Sequence, residues 1–331
     1  MRAVIINEFG NIDTPVYGEM PTPRPGPGEV VIRVRATAVN FVDLLVIGGK
    51  YQFLPERPFT PGKGPAGVVA AVGEGVASLK VGDRVLAMAE HGGYGEQALV
   101  AANQCYPLPA GMSFAEAASM SLAYDTAWFA LRERGRYKEG ETVLVLGASG
   151  GVGYAAVQLA KAMGAKVLAG VSSPSKADMV RAAGADALID LSAGNLRDSL
   201  REQVYAATDG KGADVVIDML GDDIFDAALR AVAWRGRIVV VGFAAGRIPT
   251  IKANYLLVKN IEASGLQISD YRKRMPGLVA ECFAEIFAFY EAGKVRPAPY
   301  TTLPLSEFRD GLRMVQDRTA KGRVVLVQDD E

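Results

Sequence analysis

The chain has 331 residues, half of them hydrophobic, and its 36 basic residues nearly balance 37 acidic ones, for a net charge of -1. That length accommodates two domains of ordinary size, each with its own core, and the balanced charge leaves no basic footprint for nucleic acid or an anionic membrane. No apolar run is long enough to span a bilayer and no charged-then-apolar leader precedes a cleavage site, so a soluble cytoplasmic protein is expected.

Cysteine and histidine are scarce. Cys105, Cys282 and His91 are the only soft metal-ligand candidates, and their wide spacing argues against zinc, whose catalytic sites usually take three protein ligands. The two cysteines read as small buried hydrophobes. His91, in Glu90-His-Gly-Gly-Tyr-Gly95, falls in a turn-rich loop and reads as an ordinary loop histidine.

The first hundred residues carry short strand-like runs separated by turn residues: Arg2 to Ile6, Val30 to Val34, Gly67 to Val72, Asp83 to Ala87 and Gln97 to Val100. No helix of good length competes with them, so this part is mainly β, as a partly closed barrel. Ser113-Phe-Ala-Glu116 then has the spacing of a capping box, in which the serine caps the N3 amide and the glutamate reaches back. A helix is predicted there, followed by a second helical run ending near Arg134-Gly135. This change of texture marks a domain boundary.

The most informative stretch follows: Thr142-Val-Leu-Val-Leu-Gly147-Ala-Ser-Gly150-Gly151-Val-Gly153. Its apolar, β-branched start reads as a buried parallel strand, and Val152, Ala155, Ala156, Leu159, Ala160 and Met163 recur at helical spacing. A strand therefore enters a glycine loop that opens a helix, with Gly164 as its stop and Ala165 to Val171 as the next strand. Such a unit binds dinucleotides: the bare backbone can approach a pyrophosphate, and the helix N-terminus attracts it.

Helices and strands then alternate. A helix to Gly184, the strand Ala187 to Asp190, a helix from Asn195 to Ala207, the strand Asp214 to Asp218, a helix from Asp222 to Trp234 and the strand Arg237 to Val241 predict a doubly wound parallel sheet. Its ligand end is the carboxyl end of the strands, where Gly147, Ser172, Leu220 and Gly242 fall. Ile261 to Ile268 reads as an edge strand and a dimer contact. A helix from Gly277 to Ala292 and a last strand, Arg323 to Val327, match the β-rich part in texture, so the chain is expected to return to its first domain.

These motifs together resemble one family, the zinc-free, quinone oxidoreductase-like branch of the medium-chain dehydrogenases/reductases. The resemblance spans nearly the whole chain: Asn40-Phe-Val-Asp43, Gly48-Gly-Lys-Tyr51, Pro61-Gly62 with Ala66-Gly67, Val72-Gly73-Glu-Gly75, Val81-Gly-Asp-Arg-Val85, Gly93-Tyr94, Gly147 to Gly153 and Gly322 to Leu326. It implies an α/β fold in which a Rossmann doubly wound parallel sheet, residues 121–269, forms the nucleotide-binding domain. A mainly β GroES-like catalytic domain would be formed by residues 1–120 and 270–331, with the active site in the cleft; members are usually dimers or tetramers joined through the Rossmann sheet, and a homodimer is expected here. The zinc-dependent branch would have cysteine at Asn40, a His-Glu pair at Lys63-Gly64 and a further cysteine near Leu122. The chain departs also from many quinone reductases, which have tyrosine at Leu45, arginine at Ile47 and an acid at Gly64.

The second strand decides the cofactor. NAD-preferring sites place an acid there, whereas Ser172 is uncharged and Lys176 follows within reach of a 2′-phosphate, so NADPH is expected. Ser172 and Ser173 can also cap the next helix. The resemblance places Asn40 and Thr126 beside the nicotinamide, Ser149, Gly150, Gly151 and Val152 at the pyrophosphate, and Leu220, Val241, Gly242 and Phe243 along the nicotinamide half, with Arg318 also at the cofactor. Tyr51 matches the tyrosine that donates a proton, alongside Asn40, in quinone and enoyl thioester reductases; an ordinary tyrosine, with pKa about 10, is protonated at neutral pH. The implied reaction is NADPH-dependent reduction of a quinone or other α,β-unsaturated carbonyl compound. Enoyl thioester reduction is the second reading, and a non-enzymatic NADPH-binding structural protein comes from another class. Tyr255 and Lys259 have the spacing of a short-chain dehydrogenase pair, but that family has its glycine loop near the N-terminus, so they read as part of an ordinary helix or loop.

Overall fold

The computed structural model describes residues 1–328. The chain divides into two compact units: Met1–Leu122 with Tyr271–Phe283 and the residues from Pro297 onward, and Ala123–Asp270 with Ala284–Arg296. The expected division gave everything beyond residue 269 to the first domain; here the stretch from Ala284 to Arg296 goes with the second. The tie is polar: Glu285 accepts hydrogen bonds from the Trp128 indole and the Arg132 guanidinium, and the main-chain N–H of Arg296 donates to Gln158 Oε1 at 3.1 Å.

The first unit begins with a hairpin-like pair, β1 (Arg2–Ile5) and β2 (Val16–Glu19). Its main sheet is built on β3 (Glu29–Val39), eleven residues dominated by Val, Ile, Ala and Thr that suit a pleated, buried surface. After a short helix, α1 (Phe41–Ile47), come β4 (Ala66–Val72), β5 (Arg84–Ala87), β6 (Gln97–Ala101) and β7 (Cys105–Pro107). The first part of β3 pairs antiparallel with both β4 and β6. The helix α2 (Phe114–Phe129) follows, opened by the capping box: Ser113 N–H donates to Glu116 Oε2 at 2.9 Å and Glu116 N–H to Ser113 Oγ at 3.1 Å. Two helical runs were expected here, but α2 is unbroken and widens into a π-helical turn over Ala130–Arg134, closed by Gly135 N–H donating to the Ala130 carbonyl.

The second unit holds a six-stranded sheet. Its strands are β8 (Thr142–Leu146), β9 (Lys166–Val171), β10 (Ala187–Asp190), β11 (Ala213–Asp218), β12 (Val232–Val240) and β13 (Glu262–Gly265). Every pairing is parallel and the spatial order is β10-β9-β8-β11-β12-β13, the doubly wound order that reverses at β8 and marks the ligand-binding edge. The connections are α3 (Gly151–Ala162), α4 (Ala177–Ala182), α5 (Leu196–Ala207), α6 (Asp222–Ala231) and α7 (Ala253–Lys259). Leu144, Leu146, Leu168, Ile189, Val216 and Phe225 form part of one buried cluster between sheet and helices; each contributes roughly 1.5–3 kcal/mol by leaving water. The helix expected to reach Trp234 stops at Ala231, because Val232 already pairs with Ala213 and the strand bends at left-handed Arg235 before resuming its register at Arg237.

The chain continues through α8 (Ile268–Arg274) and α9 (Pro276–Glu291) to β14 (Tyr300–Pro304), α10 (Phe308–Gln316) and β15 (Arg323–Val327). β15 pairs antiparallel with the second half of β3, so the two ends of the chain share one sheet. No helix among the described residues is long and apolar enough to cross a membrane.

Candidate active site

The nucleotide-binding features lie in the second unit. β8 ends at Leu146, and the backbone then turns through Gly147, whose φ of 74° favours glycine. A methyl group at Gly153 would lie 2.2 Å from the Gly147 carbonyl oxygen, so only glycine lets α3 rise this close to the loop. Gly150 is the N-cap of α3 and makes no side-chain capping bond. The first-turn amides of this twelve-residue helix, including Gly151 and Val152, are thus left for an anion, with the helix dipole behind them. Ser149 precedes the cap in the same loop.

Beyond β9, Ser172 and Lys176 are both exposed. Ser173 is the N-cap of a short 3₁₀ turn, Pro174–Lys176, but makes no capping bond; its hydroxyl meets that of Ser175 at 2.8 Å. The capping role considered for Ser172 and Ser173 is therefore absent, and Ser172 stands uncommitted at the strand end. Leu220 follows β11, and Val241, Gly242 and Phe243 follow β12, at the same sheet edge as Gly147. Asp218, at the end of β11, is fully buried and holds the amides of Leu220 and Gly221 at 2.9 and 3.1 Å. Burial outweighs those bonds and pushes its carboxyl up to about 6. Thr126 is buried within α2.

The first unit holds Asn40, Tyr51 and Arg318. Asn40 precedes α1, and its side chain is clamped: Nδ2 donates to the Ala38 carbonyl at 3.0 Å and Oδ1 accepts from Arg323 Nη2 at 2.7 Å. Its main-chain N–H donates to Asp43 Oδ2 at 2.8 Å, and the same oxygen accepts the Tyr94 hydroxyl at 2.9 Å. Asp43 is buried and its other oxygen has no hydrogen-bond partner; desolvation raises its carboxyl to about 6 against the opposing bonds. Tyr94 is driven well above the usual phenol range by burial first and by the Asp43 charge second. Tyr51 is half-buried three residues after Gly48, the residue that ends α1, and packs on the cluster containing Val46, Ile47 and Phe59. Arg318 is exposed just after α10, with a left-handed φ of 57°.

Sequence reasoning missed the buried charge cluster that brings Lys63 onto Tyr51. Lys63 pairs with Glu90, whose second oxygen accepts from Arg272 Nη1 at 3.1 Å, and the Lys63 ammonium lies 5.0 Å from the centre of the Tyr51 ring. His91 reaches solvent in part, but burial of its ring, placed edge-on to Phe59, and the Lys63 charge hold its pKa below the usual value. Two buried cations and an acid separated by 27 and 182 positions leave no local pattern; the one cue was lysine at a position where the zinc branch has a ligand. Among the described residues no three His, Cys, Asp or Glu side chains group to hold a metal. Cys105 and Cys282 are both buried and free, and burial raises the Cys105 thiol to about 12.

Family models for an alcohol dehydrogenase GroES-like domain and a zinc-binding dehydrogenase match residues 26–110 and 151–285. A quinone oxidoreductase-like protein 2 homolog from Nematostella vectensis is 37% identical over 98% of this chain and 88% of its own. The chain belongs to the zinc-free, quinone oxidoreductase-like branch of the medium-chain dehydrogenases/reductases. It is thus an oxidoreductase of that superfamily with a nicotinamide-cofactor fold. Solved relatives include a Pseudomonas syringae quinone oxidoreductase (TM-score 0.90, 31% identity, 98% of this chain and 99% of that one). A mycobacterial protein crystallised with NADPH has a TM-score of 0.90 at 30% identity, covering 99% of both chains. The fold neighbours also include the CurK enoyl reductase, TM-score 0.88 at 27% identity over 99% of both chains.

Proposed function

We propose that the protein is a zinc-independent, NADPH-dependent reductase of quinones or other α,β-unsaturated carbonyl compounds. The observation that carries the cofactor choice is the end of β9, where uncharged, exposed Ser172 replaces the acid of an NAD site and exposed Lys176 follows on the 3₁₀ turn. A carboxylate there would repel a 2′-phosphate, whereas an ammonium attracts it. The mycobacterial NADPH complex supports the same choice. When bound, NADPH supplies the hydride.

The chain's own residues do the rest. Ser149, Gly150 and the free amides of Gly151 and Val152 receive the pyrophosphate, the Gly150 N–H itself closing the loop onto the Gly147 carbonyl at 3.0 Å; Thr126, Asn40, Leu220, Val241, Gly242 and Phe243 receive the nicotinamide half, and Arg318 adds a cation. The Asn40 carboxamide cannot swing, because Arg323 and the Ala38 carbonyl hold both of its ends. Tyr51 donates the proton that completes reduction. With no metal ligand at Asn40 or Lys63-Gly64, hydrogen bonds and fixed charge carry the developing oxyanion, a demand that activated alkenes and quinones meet more easily than alcohols do.

The enoyl thioester reading shares the match at Tyr51 with the quinone reading and is supported by the enoyl reductase among the fold neighbours. NADPH consumption with a panel of quinones, enones and enoyl thioesters separates the readings. Turnover of quinones or enones supports the first, preference for enoyl-CoA or enoyl-ACP selects the second, and NADPH binding without turnover across the panel leaves a non-enzymatic protein. The working assembly is a cytoplasmic homodimer joined at β13, the terminal strand of the six-stranded sheet; the neighbouring α7 supports it by exposing Leu257 and Val258 by 80% and 73%.

A further inference from the structure

We infer that Lys63 is the positioning residue for Tyr51, held in place by a buried ion cluster with Glu90 and Arg272. Lys63 and Arg272 are each only 2% exposed, and Glu90 joins them through its two carboxylate oxygens. Lys63 stands on a rigid turn: Gly62 and Gly64 on either side are left-handed, and a methyl group would lie 2.3 Å from the Tyr94 ring at the first and 2.9 Å from Ser121 at the second. Tyr51, by contrast, belongs to a stretch without helix or strand between α1 and β4. The contacts that hold its ring include the apolar cluster beneath, Phe53 edge-on at 6.3 Å, and the Lys63 ammonium 5.0 Å from the ring centre. Of these the cation on the ring face is the charged one, attracting the ring electrostatically from a fixed point.

Stability does not explain the arrangement. Burying an ammonium carries a desolvation penalty that its ion pair offsets at best, and an apolar side chain of similar length is often tolerated as well or better in such a place. What the charge supplies is a fixed point on a rigid turn against which a tyrosine on an irregular segment is aimed. The arrangement ties Arg272 of α8, through Glu90 and Lys63, to the group that gives up the proton.

The kinetic part of this inference rests on the reductase reading, but the structural part does not. The test uses the full chain with 3-fluorotyrosine at position 51, followed by fluorine NMR in the wild type, Lys63→Met and Lys63→Arg. The fluorine resonance should move and broaden in Lys63→Met and return in Lys63→Arg, while the unfolding midpoint changes little. Glu90→Gln, which loosens Lys63 without removing it, should move it in the same direction and replaces Lys63→Met if that variant fails to fold. In turnover, Lys63→Met should lower kcat by about tenfold with KM nearly unchanged, and in a Tyr51→Phe background this loss should vanish, because the hydroxyl being aimed is gone. A fluorine resonance that stays in place in Lys63→Met, or a kcat loss of equal size in both backgrounds, overturns the assignment. If the wild type turns over nothing in the panel, the reductase reading fails by itself and the fluorine resonance alone decides whether Lys63 orders Tyr51.

Discussion

Tyr51, Ser172 and Asp43 each do separable work. Replacing Tyr51 by Phe keeps the ring and its packing but removes the hydroxyl, so kcat on the best substrate should fall by roughly 10²-fold at nearly constant KM, the usual contribution of one positioned proton donor. Unchanged turnover would move the proton to solvent. Ser172→Asp puts a carboxylate where the 2′-phosphate is expected, and the ratio of kcat/KM for NADPH to that for NADH should fall by about tenfold or more. Asp43 reports through stability. Its folded carboxyl is raised from 3.8 to about 6; the group favours the folded state fully below its unfolded pKa, and that advantage is lost as pH rises through 6. The stability of the wild type relative to Asp43→Asn should therefore decline between about pH 4 and pH 6, by at most about 3 kcal/mol for a shift of this size. Denaturant unfolding across that range measures it, and a pH-independent difference would mean that Asp43 is not buried as a strained carboxylate.

At the level of elements, the parallel sheet was legible because its signals are local: β-branched runs, glycine stops and helical spacing recur every few residues, and the strand order follows once β8 is known to enter a glycine loop. Helix ends were less legible. Nothing near Trp234 says that Val232 has already joined Ala213, since that pairing is a tertiary choice which overrides a helical reading. Likewise β14 pairs parallel with β15 over Tyr300–Pro304, but its exposed, proline-bounded sequence resembles a loop. The candidate site divided the same way: Ser172, Lys176 and the glycine loop follow from spacing, whereas the Lys63, Glu90 and Arg272 cluster is assembled from three distant segments. Lys259 of the rejected Tyr-x-x-x-Lys pair has a structural task, donating to the carbonyls of Arg230, near the end of α6, and Val232, the first residue of β12. The glycine loop makes its own prediction. Gly153→Ala forces a methyl group against the Gly147 carbonyl oxygen, so α3 must lift from the loop, with an expected stability loss of a few kcal/mol and weaker NADPH binding. Thermal unfolding and a cofactor titration check both, and wild-type values for each would show that the helix need not approach so closely.

Taken whole, the chain carries a parallel sheet with the features of a nicotinamide-cofactor site and a β-rich unit in which a buried lysine lies on the face of Tyr51. If α7 and the β13 edge form the homodimer contact, Leu257→Glu should shift sedimentation from dimer to monomer, and an unchanged dimer would place the contact elsewhere. The measurement closest to the central claim compares kcat/KM for NADPH and NADH with the panel substrate that the wild type reduces fastest. Turnover with NADPH preferred by about tenfold or more is predicted from Ser172 and Lys176; equal use of NADH, or no consumption of either cofactor, would contradict it.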